Sequence, residues 1–408
     1  MKLLFLTLLY PRELREEAHR LSLDGLQNQA DGFQQALLRG FAEQGAQVDV
    51  VNCMPVGAFP RPYPRLLLPH KRLNEHLLEL GGINLPLCKQ AMRFYRARRV
   101  LEIWYHQSND HRDVLVYSLY LPYLRAVAAA KRQHPDLRAH LVVTDLPGGL
   151  GISSGRAGLV KRLEQRWGSR SLALSARFDT YTLLTHAMAD VLPIGGKPFT
   201  IIEGIASTEE PAARPQNASE AVRGAIARKR PAVLYTGQLQ REFQLDRLLK
   251  AFAHPDLADV ELWLCGHGDM EADILTASRE QGNVRYFGFV PRAEARLLQQ
   301  HAAALINPRS PEGAFTQYSF PSKTLEYMLA GRPVLCCKLP GIPNDYDPYL
   351  RYVRECTADG FREAIVTLLA LSPPKRDAIG QRCQAFAREH KNERTQATRL
   401  LALIRSVI

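Results

Sequence analysis

Apolar residues recur along this chain with two periods. Residues 1–9 form a nearly continuous apolar run, the pattern of a strand buried on both faces. Residues 30–44 then show helical spacing, with Phe33, Leu37, Leu38 and Phe41 on one face, and residues 47–51 return to an apolar run. Strand, helix and strand in that order make a βαβ unit. The alternation resumes with a strand at 113–118, a helix at 121–133 and a strand at 139–144 that ends against Asp145. Such alternation predicts α/β structure with a parallel sheet.

Between residues 206 and 230 the chain turns polar, with Glu209, Glu210, Pro211, Pro215 and Asn217 in a stretch poor in large apolar side chains. This reads as an interdomain linker, placed at 205–231. A second series follows it, with strands at 232–235, 260–265, 284–287, 304–307 and 333–337 and helices at 245–252, 270–279, 292–301 and 322–330. The expectation is two Rossmann-like, doubly wound domains, 1–204 and 232–385, and a final helix over 386–408 packing back on the first. The length of 408 residues agrees, since one core rarely grows past roughly 250 to 300 residues.

Composition narrows the function classes. With 46% hydrophobic and 23% charged residues the chain is globular rather than disordered. No apolar stretch reaches the roughly 18 residues of a membrane span. Met1 to Tyr10 has the basic-then-apolar start of a signal peptide, but Pro11, Arg12 and Glu13 follow where a small-residue cleavage site belongs, so a cytoplasmic location is expected. The seven cysteines include Cys53, Cys265, the adjacent Cys336 and Cys337, and Cys383, with no C-x-x-C spacing, and are read as reduced core thiols. A net charge of +12 calls for an anionic partner: nucleic acid, anionic lipid or a phosphorylated small molecule.

The most informative segment runs from Tyr318 to Leu335. Ser319 or Ser322 can cap a helix beside Pro321, Gly331 can end it, and a strand follows at once. A helix opening at the carboxyl edge of a sheet offers unpaired N–H groups to a diphosphate, and Lys323 adds a full charge. Ser322, Lys323 and Glu326 share a helical face, which places Glu326 to accept hydrogen bonds from ribose hydroxyls. Without a ligand, Lys323 and Glu326 are simply an i,i+3 ion pair.

The Phe320-Pro321-Ser322-Lys323-Thr324-Leu325-Glu326-Tyr327 run, followed by Gly331-Arg332-Pro333-Val334, resembles the nucleotide-binding signature of glycosyltransferase family 4, in particular its bacterial capsular and exopolysaccharide members. Asn307-Pro308-Arg309, Pro340-Gly341, Tyr235-Thr236-Gly237, Cys265-Gly266-His267-Gly268 and Gly288-Phe289-Val290 agree with it. The resemblance implies a GT-B fold and a retaining, metal-independent transferase with a nucleoside-diphosphate sugar as donor and no separate cofactor. It implies that Glu326 holds the ribose, that Ser322, Lys323 and Thr324 lie by the diphosphate with Gly237 and Gly266, and that Phe289 and Val290 approach the base.

The chain also departs from that pattern. Tyr318 stands where many members carry a glutamate that meets the donor sugar, and the Gly-Arg-Leu and Lys-Gly pair reads Gly237-Gln238-Leu239-Gln240-Arg241-Glu242. Arg241 is left as the phosphate-clamping cation, since a guanidinium binds phosphate oxygens bidentately. In the first domain Asp145 matches the place of the family's catalytic-site histidine, where it would orient the acceptor hydroxyl or take its proton; a turn-stabilising aspartate before Pro147-Gly148-Gly149 is the alternative. Asn28 and Gln29 match the donor-facing loop weakly, and His186 and Glu203 read as structural.

Two motifs are set aside. Gly266-His267-Gly268 lacks the third glycine of a dinucleotide fingerprint, and Asp345-Tyr346-Asp347 reads as a solvated turn rather than a metal site. Basic clusters at Lys89, Arg93, Arg96, Arg98 and Arg99, and at Arg156, Lys161, Arg162, Arg166 and Arg170 around Trp167, are either lipid-facing surfaces at the inner face of the cytoplasmic membrane or solvated helix faces. Nucleic acid falls away because no reader motif accompanies the charge. The function expected is sugar transfer to a polysaccharide or glycolipid. The alternatives are a sugar-nucleotide epimerase of the same fold and a non-catalytic nucleotide-binding subunit.

Overall fold

The computed structural model describes residues 1–23, 25–107, 112–147, 159–207 and 214–407. The chain divides into two units, Met1–Ile205 with Gln317–Phe320 and Glu393–Ile408, and Ala206–Thr316 with Pro321–Asn392.

Unit 1 opens with β1 (Lys2–Thr7), α1 (Arg12–Leu21), α2 (Asn28–Glu43) and β2 (Gln47–Asn52). Four short strands follow, β3 (Leu67–Leu68), β4 (Lys71–Arg72), β5 (Leu77–Glu79) and β6 (Gly82–Ile83), and then the long α3 (Pro86–Gln107). The rest is β7 (Asp113–Tyr117), α4 (Leu121–Gln133), β8 (Arg138–Val143), α5 (Leu159–Ser175), β9 (Thr180–Leu183), α6 (Ala187–Val191) and β10 (Phe199–Ile201). Eight strands join in the order β10-β9-β8-β7-β1-β2-β5-β4, with only β4 antiparallel, while β3 and β6 pair separately. β1 is apolar throughout because both faces are covered. Leu4 and Leu6 pack in a core with Phe94, Leu101 and Leu124, whereas Leu3 and Phe5 pack with Leu37 and Phe41.

Unit 2 holds α7 (Glu220–Ile226), β11 (Ala232–Thr236), α8 (Leu245–Phe252), β12 (Glu261–Cys265), α9 (Glu271–Glu280), β13 (Val284–Tyr286) and α10 (Arg292–His301). β14 (Ala304–Asn307), α11 (Lys323–Leu329), β15 (Val334–Cys336), β16 (Arg351–Tyr352), α12 (Ala358–Leu369) and α13 (Pro373–His390) complete it. Its sheet is wholly parallel, in the order β13-β12-β11-β14-β15-β16. The order reverses beside β11, and open α/β sheets bind ligands outside the carboxyl ends of the strands at such a point.

The last helix, α14 (Glu393–Arg405), belongs to unit 1, where Leu400, Leu401 and Ile404 join the core of Leu3 and Phe5. Gly40 permits the contact, since a Cβ there would lie 2.2 Å from the Glu393 carbonyl oxygen and 2.7 Å from the Ala397 Cβ. Arg39 and Glu393 pair beside it at 2.7 Å.

Three expectations change. Residues 214–230 are not bare linker, because α7 buries Val222 and Ala225; residues 208–213, with Glu209, Glu210 and Pro211, lie outside the described residues. α13 continues in unit 2 to His390, so the chain re-enters unit 1 at Glu393 rather than at 386. The cysteines are not all thiols: Cys337, just past β15, and Cys356, past the neighbouring β16, form a disulfide. Among the described residues no helix is long and apolar enough to cross a membrane.

Candidate functional site

In unit 2 the loops after the first three strands are laced together. The Gly237 N–H donates to the Cys265 carbonyl at 3.0 Å, Leu239 to His267 at 2.8 Å and Gly266 to Gly288 at 2.8 Å. Glycine is required at Gly266: φ is +136°, and a Cβ would sit 1.7 Å from the Gly237 carbonyl oxygen. Backbone thereby approaches backbone at the carboxyl edge. Phe289 stands out from this edge 71% exposed, its ring parallel to that of His267 at 5.8 Å between centroids, while Val290 is half-buried. An exposed flat aromatic there is available for stacking.

α11 is fixed to the same edge by Tyr327. Its buried hydroxyl accepts from the Thr236 N–H at 2.8 Å and donates to the Thr236 carbonyl at 3.1 Å. Gly331, with φ +72°, ends the helix as the sequence suggests. The start differs from expectation. α11 begins at Lys323, and the exposed Ser322 at its cap makes no side-chain capping bond. Thr324 is fully buried, its Oγ1 without a hydrogen-bond partner, so its side chain is closed to a ligand.

Glu326 is held on both oxygens. Gln299 Nε2 donates to one at 2.7 Å and Lys323 Nζ to the other at 2.8 Å. Burial alone would raise the carboxyl pKa, but the charge of Lys323, the two hydrogen bonds and the charge of Arg292 outweigh it and hold it below the ordinary glutamate value. The i,i+3 pair read from the sequence is therefore present, as part of a larger network. Gln299 also donates to Thr236 Oγ1 at 3.2 Å, which links Glu326 back to the end of β11.

Arg241 is not a free clamp. Its guanidinium pairs with Asp273, and its backbone N–H donates to Asp269 Oδ1 at 2.8 Å. That pair is exposed, so its net worth is within about 1 kcal/mol and a phosphate can compete for the arginine. Arg309, passed over by sequence reasoning beyond its place in the motif, lies over the rings of Phe315 and Phe243 at 4.7 and 5.8 Å. Burial lowers its pKa from the ordinary arginine value. Tyr318 is placed with unit 1, packed against that unit's apolar core, and the carbonyl of Gln317 beside it accepts from Thr185 Oγ1 at 2.7 Å.

In unit 1, Asp145 lies just past β8, and Gly148 and Gly149 beyond it fall outside the described residues. Thr144 Oγ1 bridges Asp145 Oδ2 and the Tyr117 hydroxyl, each at 3.3 Å. Crowding by surrounding protein raises the Asp145 carboxyl pKa although the residue reaches solvent, with the Thr144 bond opposing. At the end of β1, buried Asp31 and Gln34 accept from the Tyr10 and Leu8 N–H groups at 2.8 Å each. Asn28 accepts from Arg15 at 3.1 Å, and Asp24 lies outside the described residues. His186 is exposed past β9 and Glu203 is buried past β10.

The first basic cluster is a surface only in part: Arg99 is exposed and Arg98 half-buried, while the other three turn to backbone carbonyls. Lys89 is buried and donates to the carbonyls of Val56 and Gly57; Arg93 is buried and donates to the carbonyl of Met54 and, through another nitrogen, to the Tyr120 hydroxyl; Arg96 donates to Gly81 at 2.6 Å. In the second cluster Arg162, Arg166 and Arg170 are exposed on α5, and Arg156 lies outside the described residues. Asp345 pairs with Lys391 and Asp347 with Lys338, consistent with a turn. Sequence reasoning missed Glu102, His106 and His134, a group able to hold a metal ion among the described residues. They sit at the carboxyl ends of α3 and α4, hence toward the amino edge of the sheet.

Residues 230–370 match the model of a family described as glycosyl transferases group 1. A sequence comparison with curated proteins finds no match. Among solved structures the chain is similar to sucrose-phosphate synthase from Thermosynechococcus elongatus, with TM-score 0.62 and 14% identity over 100% of this chain and 99% of that one. It is similar to the E. coli trehalose-6-phosphate protein bound with UDP-2-fluoro glucose, with TM-score 0.65 and 7% identity over 100% of both chains. Anabaena HepE in complex with UDP gives TM-score 0.60 and 15% identity over 100% of both. The chain has the two-domain, Rossmann-like GT-B fold, and its second unit carries the part that matches the group 1 glycosyl transferase family.

Proposed function

We propose that the protein moves a sugar from a nucleoside-diphosphate donor to a hydroxyl of a polysaccharide or lipid-linked sugar, in cell-envelope or exopolysaccharide synthesis, as a retaining transferase of glycosyltransferase family 4. The observation that carries the reading is the Thr236–Gln299–Glu326–Lys323 network beside the glycine-laced loops of unit 2. It presents a carboxylate kept ionised, a cation one turn away and an exposed aromatic, which suit a ribose, a diphosphate and a base. Similar folds bound with UDP-2-fluoro glucose and with UDP support a uridine donor.

In the reaction the anomeric C–O bond to the diphosphate breaks and a bond to the acceptor oxygen forms on the same face. Lys323, with Arg241 once it exchanges Asp273 for phosphate, stabilises the departing diphosphate without a metal ion. Asp145 is assigned to the acceptor side, to orient the hydroxyl or take its proton. On this reading the enzyme works in the cytoplasm, at the inner face of the membrane.

Calorimetric titration of UDP, dTDP and GDP without metal, beside Glu326→Ala, tests the reading. Binding of one diphosphate that weakens at least about tenfold in the variant supports it, as expected for lost hydrogen bonds to a charged group. Binding of none removes the donor site.

A further inference from the structure

Beside the buried cations of α3 the surface is apolar. Of the twelve large apolar side chains exposed among the described residues, six fall between residues 66 and 95: Leu66, Leu67, Ile83, Leu85, Leu87 and Tyr95. Leu67, Leu87 and Tyr95 are exposed to 68%, 68% and 66%. They form one surface. Leu67 and Ile83 are register partners in the β3–β6 ribbon, and the Asn84 N–H donates to the Leu66 carbonyl at 2.7 Å. The ribbon lies on α3, where the Ile83 N–H points at Met92 Sδ at 3.5 Å. On α3, Leu87, Ala91, Tyr95 and Arg99 are all exposed at i,i+4 spacing, one stripe about 18 Å long.

Charge selects the occupant. Residues 61–99 hold nine Lys and Arg against Glu75 and Glu79, more than half of the net charge of the chain. Arg61, Arg65, Lys71, Arg72 and Arg99 are exposed in the same segment, Arg65 in an ion pair with Glu17 at 2.8 Å. A second copy would bring the same positive field against itself, whereas a surface of lipid phosphates complements it. Leucines flanked by cations, with a tyrosine at the boundary, are the features of a segment seated in a bilayer interface.

We propose that the β3–β6 ribbon and the first turns of α3 are a docking surface for an anionic lipid bilayer. The proposal rests on the transferase reading only for its purpose, the delivery of a lipid-linked acceptor.

The test is co-flotation of the purified full chain with vesicles of phosphatidylcholine, with and without phosphatidylglycerol, in the absence of nucleotide. Binding is expected to need phosphatidylglycerol, to fall as salt rises, and to drop at least about tenfold for the double variant Leu67→Glu, Leu87→Glu. Lys71→Glu with Arg72→Glu, which leaves the leucines in place, is expected to weaken it as well. Equal flotation of wild type and both variants, or none with any vesicle, overturns the proposal. So does sedimentation showing a wild-type dimer that the leucine variant breaks, since the occupant is then a second copy. UDP titration of the same samples separates the two readings: flotation without nucleotide binding sinks the donor site and spares the surface, and the reverse sinks the surface alone.

Discussion

Gln299 of α10 donates to Glu326 of α11 across 2.7 Å, while the same amide nitrogen reaches Thr236 at the end of β11. One side chain thus sets the carboxylate against both the sheet and Lys323. Gln299→Leu, which keeps the volume but not the bonds, is expected to weaken nucleoside-diphosphate binding roughly threefold to tenfold, about 0.7 to 1.4 kcal/mol. Calorimetry checks this, and an unchanged Kd would confine Gln299 to a structural role.

The same network has a pH signature. The folded pKa of Glu326 is held below its ordinary value of 4.5. Its stabilising contribution is then complete above that value and is lost only as the pH falls through the lower folded one. The ratio of wild-type to Glu326→Ala affinity is accordingly expected to hold level from neutrality down to about pH 5, since the terminal phosphate of the nucleotide, which titrates at about pH 6, does so in both proteins; calorimetric titration can follow it.

Asp145 carries a pKa raised above the ordinary aspartate value, with only the weak Thr144 bond favouring the charged form. If it takes the acceptor proton, Asp145→Asn should lower turnover at least about a hundredfold. Nucleotide affinity should stay unchanged, since the role assigned to Asp145 is toward the acceptor. The acid limb of the wild-type rate profile should lie above the usual aspartate range. A loss of only a few fold, with the acid limb unmoved, would leave Asp145 as a turn residue.

The parallel strands were legible because burial on both faces demands apolar runs. Strands read at 113–118, 139–144 and 304–307 are found at Asp113–Tyr117, Arg138–Val143 and Ala304–Asn307. For α3 the sequence offers a lipid-facing or a solvated helix face, but Lys89 and Arg93 take neither place: they interrupt the apolar face and are satisfied by carbonyls of irregular backbone at Met54, Val56 and Gly57. No local pattern announces such a partner. Gln299 was missed for a related reason: one buried polar residue after Leu297 and Leu298 looks like the edge of an amphipathic face until Glu326 is placed beside it. Glu326 itself stood out through the spacing of a short motif, which survives without tertiary context.

The Cys337–Cys356 bond closes 19 residues of sequence. A loop of that length contributes about 3 kcal/mol by restricting the unfolded chain. Alkylation of the unfolded, unreduced protein should therefore modify the five free cysteines, and reduction should expose two more. Reduction or Cys356→Ser should also lower the denaturant midpoint. Seven modified cysteines before reduction would show that the pair is open in solution.

Glu79, at the end of β5, offers a separate pH test in unit 1. It is 1% exposed and accepts from the Met54 N–H at 2.9 Å and from Asn52. Burial pushes its pKa from 4.5 up to about 7, against those two bonds and the charge of Arg93. Because the folded value is the higher, the stabilising contribution is complete below pH 4.5 and is lost as the pH rises through about 7. The window is worth roughly 3 kcal/mol. Glu79→Gln lowers stability at every pH, since its amide nitrogen meets that of Asn52, but it removes the titration. Denaturant midpoints of the two proteins measured across this window should therefore converge as the pH rises, and parallel curves would mean that Glu79 keeps an ordinary pKa.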